Sequence, residues 1–321
     1  VHIVEEQATP DGNFPTVESP NPEEAAALDM ALKLAQTIDA DMVIGTDPDS
    51  DRVGIAVRNL SGELELLNGN QAASVLIYYC LERWRESGRL TGKEFVAKTI
   101  VTTDLIDQMA KAYEVDCPNV LTGFKWIADI IRQMEGEKQF IVGGEESYGY
   151  MVGDFVRDKD AIASGVMLAE AAAWAKAKGS SFFELLIEVY QKFGFYLESL
   201  VSLKKEGHKG AEEIKQMMED FRHKTPKSIA GESLVEMRDY QSSEITDLKS
   251  GAKRPLDIPK SNVVQFFTDQ GSKITARPSG TEPKIKFYIS VNTRLSEASQ
   301  YLDVRRSLEE RISSIKRDLG L

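Results

Sequence analysis

The sequence predicts a layered α/β protein closed by a smaller C-terminal α+β unit, and three observations predict it. From residue 21 to about residue 192, short apolar strands alternate with helical patterns, and polar loops sit at the strand ends. After Gly194 this alternation gives way to strand-like segments, a turn-rich tract and a hairpin. The 321 residues, 42% hydrophobic and 28% charged, are enough for two or three domains with sizeable cores.

Each element has a local reason. Asn21-Pro22-Glu23-Glu24 reads as a helix entry, with Asn as cap, Pro in the first turn and acids at the positive end. Leu28, Ala31, Leu32 and Ala35 carry that helix to near Ile38. Residues 41–45 read as a short buried strand and 53–57 as another, followed by a Ser61-Gly62 turn. Asn68-Gly69-Asn70 opens a long helix to about Glu86. Residues 95–101 form a strand, Asp104 caps a helix over 105–113, and 119–121 are strand-like. Ile127, Ile130, Ile131 and Met134 mark a helix, and 140–142 a strand. Asp160 caps an alanine-rich helix over 161–178. Ser181-Phe182-Phe183-Glu184 is a capping box, and Gly194 stops the helix it starts. A domain boundary falls there. Beyond it come a strand over 196–203, a helix over 210–222, a charged tract over 224–260 with short strands at best, a hairpin, and a helix over 296–319.

Composition narrows the function. With 51 acids against 39 bases, net charge −12, the chain is not expected to bind nucleic acid. The two cysteines are too few for a disulfide framework and fit a reducing cytoplasm; Cys80, in an apolar helical pattern, reads as a buried free thiol. No apolar run reaches the length of a transmembrane helix, so no membrane role is expected.

Three loops carry chemistry. In the first, Asp47, Asp49 and Asp51 stand at i, i+2 and i+4 after a strand. Carboxylates so close repel one another unless a cation neutralises them, and oxygen-only ligands suit Mg²⁺. An EF-hand would need Gly and Glu where Arg52 and Arg58 stand, and a dehalogenase-type phosphatase would place Thr or Val at Asp51. A solvated acidic turn stays open as the plain alternative. The second loop brackets Glu145, Glu146 and Ser147 with glycines; carboxylates and a hydroxyl suit sugar hydroxyls, and a simple turn suits the pattern equally. Arg157 and Lys159 follow it, within reach of a phosphate. The third is Arg277-Pro278-Ser279-Gly280-Thr281, between a strand and the alternating segment Ile285, Phe287, Ile289, Val291. Arg277 offers a planar fork for phosphate oxygens, Ser279 and Thr281 offer hydroxyls, and Gly280 lets backbone N–H groups approach an anion. Turn chemistry alone would explain Pro-Ser-Gly-Thr. The flanking Lys284 and Lys286, in so acidic a chain, point to an anion site.

The ordered set of an Asp-rich loop, a Gly-Glu-Glu-Ser loop and an Arg-Pro-Ser-Gly-Thr loop resembles the α-D-phosphohexomutases, the phosphoglucomutase and phosphomannomutase family, over essentially the whole chain. That resemblance implies layered α/β domains of the phosphohexomutase type plus a smaller C-terminal α+β phosphate-binding domain. It implies transfer of phosphate between C1 and C6 of a hexose phosphate, through a phosphoserine and a sugar bisphosphate that is both intermediate and activator. Asp47, Asp49 and Asp51 would hold Mg²⁺, with Arg52 beside the reacting phosphate. Lys125, in Gly123-Phe124-Lys125-Trp126, would lie near the sugar, and Glu145 and Ser147 would read its hydroxyls. Arg157 would contact substrate, and Lys159 would touch phosphate or move a proton. Arg277, Ser279, Gly280 and Thr281, with Lys286, would grip the phosphate that is not reacting. The expected partner is a small-molecule sugar phosphate.

Departures from the family pattern shape the expectation. Pro48 and Ser50 replace glycines common in the metal loop. Glu-Glu-Ser-Tyr-Gly and Gly-Phe-Lys-Trp look like the glucose-type and phosphopentomutase-like branch. The family's Ser-His-Asn-Pro loop is missing: His2, His208 and His223 are the three histidines, and none precedes Asn. Val1 falls inside what resembles the second domain. The expectation is therefore a mutase fragment that does not turn over. Residues 1–61 would be the remainder of the second α/β domain, with edges exposed by lost strands; 62–190 would be the third, and 191–321 the phosphate-binding domain. A phosphopentomutase-like enzyme and a non-catalytic sugar-phosphate sensor are the alternatives; the intact Asp triad weighs against the sensor.

Overall fold

A computed structural model describes residues 1–205, 207–280 and 282–321, leaving aside the side chain of His208. The chain divides into two compact units, Val1–Phe193 and Gly194–Leu321.

The first unit opens with a short helix, α1 (Glu5–Ala8), a 3-10 turn at Ala25–Leu28 and α2 (Asp29–Thr37). Strands β1 (Met42–Thr46), β2 (Val53–Arg58) and β3 (Leu64–Leu67) then form an antiparallel meander in that order. Val53, Ile55 and Val57 of the central strand are buried, whereas Ile44 of β1 is exposed. Residues 41–45, expected as a buried strand, thus form a half-exposed one: Val43 packs on α2, while Ile44 and Thr46 point to the opposite face and stay exposed. Ala35 of α2 meets Val43 and Ala56 in a small core.

Helix α3 (Gly69–Glu86) starts with a capping box, Asn68 and Gln71 satisfying each other's backbone N–H groups. Next come β4 (Glu94–Thr99), α4 (Leu105–Ala112), β5 (Asn119–Val120), α5 (Phe124–Gln133), β6 (Gln139–Gly144) and β7 (Tyr150–Val152). Their sheet runs β5-β4-β6-β7, parallel except for β7. Phe95, Ala97 and Phe140 pack against Phe124, Ile127 and Ile131 of α5, while α3 lies on β6. The parallel strands bring loops 100–104, 121–123 and 145–149 to one edge, where layered α/β folds place ligands. Asp104 does not cap α4 as expected. Its carboxylate lies 3.1 Å from the wholly buried ammonium of Lys98, which Asp107 meets at 3.0 Å. The buried ammonium demands a counterion, and the Thr103 hydroxyl accepts the Leu105 N–H at 3.3 Å in place of the Asp104 carboxylate. Asp160 does cap α6 (Ala161–Ala177), accepting the Ala163 N–H at 2.9 Å. Ser181 and Glu184 form the expected box at the head of α7 (Phe182–Phe193), and Gly194, at φ +103°, ends it.

The second unit comprises β8 (Phe195–Lys204), α8 (Gly207–His223), β9 (Ser228–Ile229), β10 (Glu232–Asp239), β11 (Glu244–Asp247), β12 (Lys253–Pro255), β13 (Val264–Thr268), β14 (Lys273–Pro278), β15 (Lys284–Thr293) and α9 (Tyr301–Asp318). Its antiparallel sheet runs β12-β11-β10-β13-β14-β15-β8, with β9 added on β10. The tract over 224–260 therefore holds an eight-residue strand where short strands at best were expected. Charges hide β10 in the sequence: Glu236 and Arg238 pair with each other, and Arg254 reaches Glu236 from the edge. Phe221 of α8 packs edge-on against Phe266 and Phe287, and Phe195 stacks on Tyr301 of α9. Both helices sit on the Ile285/Phe287 face of β15, α8 through Phe221 and α9 through Phe195, which pairs with Thr293, and among the described residues of this unit no helix lies on the Lys284/Lys286 face.

Candidate functional site

The β1–β2 hairpin closes at the Thr46/Val53 pair, so residues 47–52 are its connecting loop. Ser50, at φ +56°, reverses the chain and donates its N–H to the Asp47 carbonyl at 3.0 Å. The reversal brings one carboxylate oxygen each from Asp47, Asp49 and Asp51 within 4.8 Å of one another. Asp47 is buried, and Oδ1 accepts the N–H groups of Asp51 and Arg52, both at 3.0 Å. Oδ2 lies 2.7 Å from Arg52 Nε. The Arg52 fork continues to Asn21 Oδ1 at 3.2 Å and Glu23 Oε1 at 3.6 Å. Asn21 and Glu23, legible in sequence only as a helix entry, instead fix the guanidinium from behind. Asp51 Oδ2 lies 2.7 Å from Lys159 Nζ, which also meets Asp158 at 3.2 Å.

These contacts set the protonation states. Burial by itself would raise the Asp47 carboxyl, but the backbone N–H and guanidinium of Arg52 outweigh it and hold it below the usual range. Asp51 is raised: burial and the neighbouring Asp47 push it up against the pull of Lys159. Burial would lower Lys159, yet hydrogen bonds to Asp51 and Asp158 keep it above its ordinary value, so the ammonium is charged at neutral pH. Three converging hard oxygens, with Asp49 exposed to solvent, fit Mg²⁺.

The second loop is tied to the first and to α5. The stem of Lys159 lies directly over Gly149, where a Cβ would collide with it, and its ammonium sits 5.5 Å above the Phe124 ring. Glu145, buried, accepts the Gly123 N–H at 2.8 Å, joining the Gly-Glu-Glu-Ser and Gly-Phe-Lys-Trp loops. Gly123 has φ +109°, which favours glycine there. Glu146 turns away to the hydroxyls of Thr99 and Thr102, at 3.3 and 3.2 Å. Ser147 is half-buried beside it. Lys125 is exposed, 5.2 Å over the Trp126 ring. Arg157 stands apart from this group, 2.9 Å from Glu135. Asp47, Asp49, Asp51, Arg52 and Lys159 thus form one cluster, and Glu145 is linked to the loop that carries Lys125. The roles of Gly149 and Phe124 under Lys159 had no local signal, since they depend on which strand ends become neighbours.

In the second unit, Arg277 lies directly across the ladder from Lys286, and its Nη1 donates to the Tyr288 hydroxyl at 3.1 Å. Ser279 Oγ accepts the Glu282 N–H at 3.3 Å, and its own N–H is used by the Lys284 carbonyl at 2.7 Å. A Cβ on Gly280 would meet nothing within 4 Å, so its backbone is open to an approaching group. Ser279 and Gly280 border a hollow of about 500 Å³ with Lys215 and Met218 of α8. The expectation for Thr281 lies outside the described residues.

Comparison with known proteins follows the same lines. The family models described as "Phosphoglucomutase/phosphomannomutase, alpha/beta/alpha domain II" and "domain III" match residues 1–62 and 68–193. A phosphoglucomutase of Staphylococcus aureus (strain MRSA252) is 39% identical over 290 residues, which is 90% of this chain and 52% of that protein. One from Staphylococcus epidermidis is 38% identical over the same length and shares. The chain spans about half the length of the curated relatives it matches. Among solved structures, the Paramecium phosphoglucomutase parafusin in its open form aligns with a TM-score of 0.58 at 18% identity, over 94% of this chain and 51% of that one. A phosphoglucomutase/phosphomannomutase family protein from Burkholderia thailandensis gives 0.56 at 16%, over 94% and 53%. These two likenesses show a shared fold. Among the described residues, no helix is long and apolar enough to cross a membrane.

Proposed function

The chain belongs to the α-D-phosphohexomutase family, and from that premise we propose that it supplies the metal-, sugar- and phosphate-holding parts of an intramolecular phosphotransferase. The reaction is transfer between C1 and C6 of a hexose phosphate by way of a phosphoserine and a bisphosphorylated sugar. The observation that carries this reading is the cluster at the β1–β2 loop. Three carboxylates converge there with a guanidinium and an ammonium already bonded to two of them.

Asp47, Asp49 and Asp51 would hold Mg²⁺, which would supply neutralisation of charge on the transferring phosphoryl group. Arg52, fixed by Asp47, Asn21 and Glu23, presents its remaining N–H donors to phosphoryl oxygens. Lys159 reaches the same place from the sugar side and is placed to hold a proton or a phosphate oxygen. Glu145 and Ser147 accept and donate to sugar hydroxyls, with Lys125 and Arg157 at the margin. Arg277, Ser279, Gly280, Thr281 and Lys286 anchor the phosphate that is not reacting. A grip on phosphate alone tolerates the sugar in either orientation, as a 1,6 exchange demands. Residues 1–61, 62–190 and 191–321 form the three parts of this layout.

We place the phosphoserine outside these 321 residues, since no histidine here precedes Asn. The test is a coupled mutase assay with glucose 1-phosphate, Mg²⁺ and glucose 1,6-bisphosphate, on this chain and on a longer protein containing it. Activity only in the longer protein is expected. Turnover by this chain itself would show that a group within it carries the phosphate and would overturn that placement.

A further inference from the structure

One face of the second unit's sheet carries α8 and α9; the other carries cations in facing pairs. Arg277 stands opposite Lys286, and Lys284 stands opposite Lys204. Side chains alternate along a strand, so Lys284 and Lys286 share a face, and their partners across the ladder share it too. Ser202 lies across β15 from Arg277, on the far side of Lys286. The next residue shows the contrast: Lys205 is paired with Glu213 of α8 at 3.2 Å. Among the described residues, none of Arg277, Lys204, Lys284 and Lys286 is in an ion pair; the recorded partner of Arg277 is the neutral Tyr288 hydroxyl. Like charges directly opposite in a sheet cost stability, and this chain has acids in excess with which to relieve them. Two such pairs stand two residues apart on one strand.

We propose that Lys284 and Lys204 are a second phosphate-binding pair, which extends the anchor from the hairpin loop across the sheet face to β8. This rests on the reading of the Arg277 loop as a phosphate anchor. The two pairs differ in kind. Arg277 is half-buried and its fork is oriented by Tyr288, which suits a firm, directional grip. Lys204 is exposed, a mobile point charge on a long stem, which suits capture of an incoming phosphoryl group and loose retention while the sugar is out of the loop.

The experiment is a titration of this chain with inorganic phosphate, followed by backbone amide shifts over residues 273–291, at low and at high ionic strength. Lys204→Gln and Lys284→Gln are each expected to weaken binding about threefold at low ionic strength and hardly at all at high, as a steering charge does. Arg277→Gln is expected to weaken it about tenfold at both. Lys316→Gln, on α9, controls for loss of one positive charge anywhere. If the two lysine variants match wild type, or match the Lys316 control, the second pair is refuted while the anchor stands. If Arg277→Gln also leaves binding unchanged, the anchor reading itself falls. Because Lys204 is exposed and unpaired among the described residues, its variant keeps the fold.

Discussion

The two charged loops of this chain are built on opposite plans. In the β1–β2 loop, Asp47 and Asp51 face cations of the same chain, Arg52 and Lys159, and the loop holds its shape through those contacts. In the β14–β15 hairpin, cations face cations, and among the described residues no acid relieves them. The first loop is organised by its own counterions. The second keeps like charges that no acid among the described residues cancels. A cluster of like charges is thus informative in proportion to what the fold has failed to pair with it.

The largest effect expected from breaking this contrast is at Asp47. Asp47→Ala removes the acceptor of two backbone N–H groups and leaves the Arg52 guanidinium only its longer contacts to Glu23 and Asp51. The first unit should lose about 2 kcal/mol in denaturant unfolding, the scale for leaving buried N–H groups without their acceptor. A loss below about 0.5 kcal/mol would mean the loop does not depend on its own counterions. Next is Lys159. If its ammonium occupies Asp51 in competition with a metal, Lys159→Met should tighten Mg²⁺ binding roughly fivefold by calorimetry, the worth of one partly exposed ion pair. Weaker binding in that variant would instead make Lys159 a support of the metal loop. Gly149→Ala should reproduce the Lys159 effect with little loss of stability, because the added methyl displaces only a flexible stem.

A smaller effect separates ligand-directed charge from structural charge in the second unit. Glu232 is buried, bonded to Arg311 and to Thr268; burial would raise its pKa, but those partners hold it below the ordinary value. A depressed folded pKa gives stability that is fully present above the unfolded value and lost as pH falls through the folded one. Acid should therefore destabilise the wild-type unit more steeply than Glu232→Gln. Identical acid limbs would show that this pair does not contribute. Smallest is the hydrogen exchange of residues 1–60. The edge position of β1 predicts faster exchange there than in β4 and β6, and uniform slow exchange would contradict it.

Much of this was legible because it is local. The capping residues at Asn68, Asp160 and Ser181, the glycine stop at Gly194 and the hairpin after Arg277 were all readable from neighbours within a few positions. The same reasoning misread Asp104, whose carboxylate meets the buried Lys98, and missed β10, whose charged alternation looks like a loop until its partners are known.

By itself the sequence determined the order of loops, the kind of chemistry each offers and the sites of most helix starts, because caps, turns and strand periodicity depend on adjacent residues. Only the tertiary structure decided who meets whom. Arg52 finds Asn21 across 31 positions, Lys159 crosses Gly149 to reach Asp51, and Lys204 comes to stand opposite Lys284. Those pairings are set by strand register and by which loops share a sheet edge. Both are global outcomes of packing that no short stretch of chain encodes.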